Sequence, residues 1–142
     1  MTIKNTKKHS SVRIIEPVNI YGCTLNENVF VGPFVEIQEN VLVGSDTLIQ
    51  SHSFICSDVT IGENCFIGHG VMFVNDKFSN GKVNFSRVYE KTFVGNNVLI
   101  GSNSTILPVK ISDNIVIGAG SVVTKDLTKP GVYVGNPAKK IK

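Results

Sequence analysis

The chain has no tryptophan, two alanines, six leucines and two methionines in 142 residues. Alanine and leucine build most helices, so a helical bundle is excluded and a doubly wound α/β domain is disfavoured. Charge is also sparse: 18% of residues are charged against 42% hydrophobic, which excludes a disordered polar chain. The net charge of +3 is too small to argue for nucleic acid as a partner. No apolar run reaches the roughly 18 residues that a membrane-spanning helix needs. The lysine-rich opening, Met1 to Ser11, has no apolar stretch behind it. The expectation is a chain with neither signal peptide nor membrane span, working in the cytoplasm. Cys23, Cys56 and Cys65 are odd in number and lack a C-x-x-C spacing, so buried, reduced thiols are expected rather than metal ligands.

What the chain does contain is 20 valines, 15 isoleucines and 8 phenylalanines, all strand formers. Their placement is periodic. Aliphatic residues recur every six positions at Leu25, Val31, Ile37, Val43, Ile49, Ile55, Ile61 and Ile67, with Phe73 next in step. Four positions after Val31 and its successors stands a small or apolar residue: Val35, Val41, Thr47, Ser53, Val59, Cys65, Val71. Glycine often follows the aliphatic residue, as at Gly32, Gly44, Gly62 and Gly68. The pattern resumes at Val94, Ile100 and Ile106, then at Ile111, Ile117 and Val123, with one step of five beside Pro108.

A period of six fits neither a helix nor a plain alternating strand. It fits a coil in which each hexad is a short strand plus a corner, with three hexads of about 18 residues closing one turn. The aliphatic residue points inward and the glycine relieves crowding at the corner. The expected architecture is one all-β domain over residues 1–142, with residues 1–12 as a loose N-terminal segment and 138–142 as a tail. The stretch of about 75–92 breaks the phase, and its polar residues predict an extruded loop. Such a loop serves either as a binding element or as a tolerated surface insertion.

The repeat over roughly residues 13–137 resembles the hexapeptide-repeat family, whose fold is a left-handed parallel β-helix, and the handedness is implied by that resemblance. The segment IGSNSTILPVKISDNIVIGAGSVVTKD, followed by VGNPAKKIK, is similar to the end of bacterial acetyl-CoA-dependent acetyltransferases. The resemblance implies that backbone amides at Ser102 and Ala119 line the pantetheine arm of acetyl-CoA, and that Thr124, Lys125 and Lys139, with Lys142 as a further position, lie along the cofactor. Lysines near a groove's end supply point charges for CoA phosphates, though solvated surface lysines would look the same in sequence.

SHSFICSDVTIGENCFIGHGVMFVND is similar to N-acetyltransferases of nucleotide-linked amino sugars, including those acting on dTDP-3-amino-3,6-dideoxyhexoses. His52 and His69 follow Ile49 and Ile67, one full coil apart, so both are expected at the same corner of adjacent turns. A histidine there is a natural base for an amine or hydroxyl proton, and a bare surface pair is the alternative. The resemblance places Asn75 where related sugar N-acetyltransferases carry an asparagine before the loop, as a candidate oxyanion donor. Asp76, Arg87 and Tyr89 are expected to contact the nucleotide-linked sugar, Arg87 through a phosphate and Tyr89 through a ring. The resemblance further implies a homotrimer with active sites between subunits. Phe34, Phe54 and Phe66, outside the inward register, are the exposed aromatics expected at an interface.

The alternative within the same chemistry is an O-acetyltransferase of a sugar or other small hydroxyl compound. A β-helical zinc lyase of the carbonic anhydrase type shares the fold and the IGHG segment. The position five beyond His69 is Val74, however, so its second histidine ligand is missing and no metal is expected. A non-catalytic scaffold would leave the GAGSVVTKD and GNPAK segments without a role.

Overall fold

The computed structural model describes residues 2–142. The chain winds into a left-handed parallel β-helix whose three faces are sheets of seven, six and eight strands. One turn is seen in the run Glu36–Ile37 on the first face, Leu42–Val43 on the second and Leu48–Ile49 on the third. The next turn repeats it 18 residues later, with Phe54 beside Glu36 and Ile55 beside Ile37. Strands are two to four residues long because a corner must follow each hexad. The backbone bonds that one strand cannot make within itself run along the axis to the turns before and after it.

The inward register is the one the hexads predict. Val31, Ile37, Val43, Ile49, Ile55, Ile67, Phe73, Ile100, Ile106 and Val123 are all fully buried. The second inward position, four residues on, is equally enclosed and takes Val35, Thr47, Ser53, Cys65 and Val71. Each large inward side chain contributes roughly 1.5–3 kcal/mol by leaving water. Thr47 and Ser53 are satisfied by the neighbouring turn: Ser53 Oγ donates to Gly68 O at 2.8 Å and accepts from Val71 N–H at 3.2 Å. Corners carry a residue in the left-handed region, and Asn28, Asn40, Asp46, Asp58, Asn64, Asn97, Asn103 and Asn114 fill most of them. Asparagine and aspartate tolerate that conformation at little cost. Gly68 is required for a different reason. A Cβ there would lie 2.7 Å from Ile100 O and 2.8 Å from Ser102 N of the next turn.

Both ends differ from expectation. Residues 1–12 were expected to be loose, yet Thr2–Lys4 pairs with Asn19–Tyr21, and Lys7–Lys8 pairs with Thr24–Leu25. The open edge of a β-helix offers unpaired N–H and C=O groups to any extended segment, so a polar sequence without a hexad pattern still joins the ladder. At the other end Lys139–Lys140 turns back and pairs antiparallel with Tyr133 and Val134 instead of trailing as a tail.

The loop leaves the first face after Met72–Phe73 and rejoins the second at Thr92–Val94. Val94 follows its neighbour Ile61 by 33 positions where Ile61 follows Val43 by 18, so the excursion inserts 15 residues at one corner without shifting the register. The five-residue step at Pro108 gives the following turn an offset of 17, with Val94 beside Ile111 and Ile100 beside Ile117. Among the described residues no helix is long and apolar enough to cross a membrane.

Candidate functional site

The corner between the third and first faces is a ladder running the length of the helix. His52 N–H donates to Pro33 O at 3.1 Å and Gly70 N–H to Ser51 O at 3.0 Å. Above them Asn103 N–H donates to His69 O at 2.9 Å and Gly120 N–H to Ser102 O at 2.8 Å. The rungs are therefore Pro33–Phe34, Ser51–His52, His69–Gly70, Ser102–Asn103 and Ala119–Gly120. Four candidates from the sequence, His52, His69, Ser102 and Ala119, share this one edge.

The two histidines do not stack on each other. His52 is the second residue of its rung and His69 the first, so each faces a different column. His69 Nδ1 lies 3.0 Å from Ser51 Oγ, its counterpart 18 residues earlier. That contact orients the ring and leaves Nε2 as its unengaged nitrogen. The His69 backbone N–H donates to Ser102 Oγ at 3.2 Å, tying this rung to the next. His52 instead meets Phe34, with ring centroids 4.9 Å apart and planes tilted by 31°. Ser51 and Phe34 were not singled out for these roles, although counting 18 back from each histidine finds both.

The first residues of the upper rungs carry the second feature. Neither the Ser102 N–H nor the Ala119 N–H donates to any partner among the described residues. At the corner between the second and third faces two such amides are capped, Glu63 N–H by Asn96 Oδ1 at 2.9 Å and Asn96 N–H by Asp113 Oδ1 at 2.7 Å, while Asp113 N–H, on the turn of Ala119, has no cap among the described residues. Ser102 Oγ caps the His69 N–H in the same way, but Ala119 has no side-chain acceptor for the Ser102 N–H, and the two uncapped donors stand one strand spacing of about 4.8 Å apart.

The other candidates lie elsewhere on the chain. Asn75 sits at the corner between the first and second faces, where its Nδ2 donates to Ser57 Oγ at 3.2 Å. The strand Met72–Phe73 separates it from His69, so within one chain it does not reach that histidine. Asp76 was expected at the substrate, but its carboxylate is spent within the loop: Oδ1 accepts from Phe78 N–H at 2.9 Å and Oδ2 from Asn84 N–H at 2.8 Å. A 2.9 Å ion pair between Lys77 and Glu90 closes the base of the loop. Arg87 and Tyr89 do come together, over a cleft of about 320 Å³ shared with Tyr21, Gln38, Glu39 and Asp58. Burial, followed by the charges of Glu36 and Glu39, pushes the Tyr21 phenol above its ordinary value. His52 and His69 do not line this cleft.

Thr124 and Lys125 are exposed just beyond Val122–Val123, at the first–second corner rather than beside Ser102 and Ala119. Lys139 and Lys142 are exposed at the C-terminal end, on the turn that closes the third face. All three cysteines are free and buried. Burial pushes each thiol up, Cys56 to about 12, so none is a ready nucleophile.

Two family models match the chain: one described as bacterial transferase hexapeptide (six repeats) over residues 42–75, the other as hexapeptide repeat of succinyl-transferase over residues 91–125. Among curated proteins, the bifunctional protein GlmU of Streptococcus uberis is 34% identical over 125 residues. That match covers 85% of this chain, and the chain spans only about a quarter of that relative's length, 24%. Among solved structures, the N-acyltransferase AntD from Bacillus cereus, in complex with dTDP and coenzyme A, superposes with a TM-score of 0.83 at 23% identity. It covers 99% of this chain and 84% of its own. A maltose O-acetyltransferase from Clostridium difficile 630 superposes with a TM-score of 0.66 at 25% identity, over 99% of this chain and 70% of its own.

Proposed function

We propose that this chain, which belongs to the hexapeptide-repeat transferase family, is an acetyl-CoA-dependent N-acetyltransferase acting on the amino group of a nucleotide-linked amino sugar of the dTDP-3-amino-3,6-dideoxyhexose type. The observation that carries the reading is the juxtaposition of the uncapped Ser102 and Ala119 amides with His69 on one corner. The amides suit the carbonyls of a pantetheine arm laid along the ladder, which brings a thioester to the His69 rung.

The sugar amine attacks the thioester carbon, forming the C–N bond and a tetrahedral oxyanion. His69 Nε2 takes the amine proton, and collapse breaks the C–S bond, so CoA leaves as a thiolate that is reprotonated. No acyl-enzyme is needed, in keeping with three buried thiols. AntD, similar in fold, is an N-acyltransferase solved with dTDP and CoA, which supports both the donor and the nucleotide class.

The trimer is part of this reading. The outward positions of the third face form an apolar column, with Phe30, Leu48, Phe66, Leu99 and Val116 in consecutive register. A column of that kind suits burial against further copies of the chain. In the trimer of this reading, Asn75, Arg87, Tyr89, Thr124 and Lys125 of one copy's first–second corner stand at the His69 corner of its neighbour. Asn75 would then serve as oxyanion donor and Lys125 and Lys139 as partners for CoA phosphates.

Thiol release from acetyl-CoA, measured over dTDP- and UDP-linked 3-amino and 4-amino sugars, tests the proposal. Release with one of these and little with free sugars supports it; CoA binding without release on any amine overturns the acceptor assignment. O-acetylation is the second reading, favoured by the maltose O-acetyltransferase likeness, and release with hydroxyl sugars alone would select it.

A further inference from the structure

The left-handed corner positions of the coil are filled by glycine, asparagine or aspartate with two exceptions, Phe34 at φ 62° and His52 at φ 65°. A bulky L side chain adopts that conformation only at a cost. Neither residue recovers the cost through burial, since Phe34 is 57% exposed and His52 is exposed as well. They occupy consecutive rungs and their rings meet, 4.9 Å between centroids. The strained pair lies directly before the His69 rung, on the side opposite Ser102 and Ala119. With the thioester arm on the upper rungs, the lower rungs are the space left for the acceptor.

Phe34 also walls a cleft of about 240 Å³ together with Pro17, Val18, Asn19, Val35 and Glu36. Its lining is apolar except for one polar pair, Asn19 Nδ2 donating to Glu36 Oε1 at 3.0 Å. A flat aromatic wall beside an amide and a carboxylate matches a heterocycle that stacks by its face and hydrogen-bonds by its edge. The apolar third-face column, Phe30 to Val116, runs along a strand face rather than this corner, so Phe34 is not part of it.

We propose that Phe34 and His52 form a stacking platform for the base of the nucleotide-linked acceptor, with the Asn19–Glu36 pair reading the base edge. This rests on the N-acetyltransferase reading for the acceptor's identity. It gives His52 the role of a ring that holds the acceptor and leaves His69 as the base.

Phe34→Asn removes the ring and installs a residue that other corners already use, so the fold should keep or raise its melting temperature. The full chain and its Phe34→Asn, Phe34→Tyr and His52→Asn variants are titrated with dTDP, UDP and GDP by calorimetry, with CoA as the control ligand. The expected result is binding of at least one nucleotide by the wild type, weakened about 5-fold or more in both asparagine variants. Phe34→Tyr keeps the affinity, CoA affinity changes less than about twofold, and sedimentation gives the same oligomer throughout.

Equal nucleotide affinity in the folded asparagine variants overturns the platform. So does a loss that accompanies a change in oligomeric state, which would make Phe34 an interface residue. If Phe34→Asn does not fold, His52→Asn alone decides. A wild type that acetylates amino sugars yet binds none of the three nucleotides overturns the platform while the transferase stands. A wild type that binds a nucleotide through Phe34 but neither binds CoA nor releases thiol leaves the platform standing and overturns the transferase.

Discussion

Ser51 Oγ and His69 Nδ1 lie 3.0 Å apart, joined across one turn of the coil by residues 18 positions apart in the chain. The parallel register sets the two residues side by side, since Gly70 N–H also bonds to Ser51 O and ties the two rungs together. A ring held at Nδ1 presents Nε2 in one direction, which is what a proton acceptor at a fixed substrate needs.

Ser51→Ala should therefore lower kcat by roughly 2- to 10-fold, the worth of one neutral hydrogen bond. Acceptor KM should change little, and Ser51→Thr should restore most of the rate. The split between kcat and acceptor KM, with rescue by Ser51→Thr, distinguishes this from a folding defect, which would lower the active fraction in both variants.

His69→Asn should cut turnover by about 10²-fold or more and leave CoA affinity unchanged. Thiol-release rates and CoA calorimetry on the same preparation check both halves. Turnover equal to that of the wild type would remove His69 as the base.

Thr92 makes a stability prediction independent of function. Its Oγ1 is buried without a hydrogen-bond partner, whereas Thr47 in the same inward class donates to Gly62 O at 2.8 Å and accepts from Cys65 N–H at 3.1 Å. The turn after Thr92 contains the five-residue step beside Pro108, so its offset is 17 residues where that after Thr47 is 18. Val59 holds the adjoining position in register, so valine already fits this column. Thr92→Val should raise stability by about 1 kcal/mol or more, read as the shift in urea midpoint at constant slope.

Cys56 predicts a loss of stability in alkali. Burial raises its folded thiol from an ordinary value near 9 to about 12. Between those values the unfolded chain has released the proton and the folded chain retains it, so stability falls as pH rises through that window and is intact below it. The effect is on the order of a few kcal/mol. Urea unfolding at pH 8, 10 and 11 should show a shallower decline in Cys56→Ala than in the wild type. At pH 8 iodoacetamide should label none of the three cysteines until urea is added.

The fold was legible because a β-helix writes its geometry into the chain. Each hexad must bury one large and one small side chain, and turns stack identically, so the inward residues from Leu25 to Phe73 follow from spacing alone. That Cys65 is a small core residue followed from the same count. The joining of Thr2–Lys4 and Lys7–Lys8 to the first turn was not legible, because edge pairing uses backbone groups common to every residue. The place of Asp76 was not legible for a related reason. A carboxylate in a polar loop looks like a ligand group in sequence, and only the folded loop shows it bonded to the Phe78 and Asn84 amides.

Counting along a repeating coil yields the period, the core and the corner shared by His52 and His69, but the excursion after Phe73 interrupts the count, so only the stacked turns put Ser102 and Ala119 on that corner. The tertiary structure decided which side chain each residue meets. It set His69 against Ser51 rather than His52, put Phe34 and His52 face to face, left the Ser102 and Ala119 amides uncapped, and held Asn75 apart from His69 across the first face. A repeat specifies positions along the axis, but contacts at a corner depend on offsets of one residue between neighbouring rungs and on side-chain direction, and both exist only once the turns are stacked.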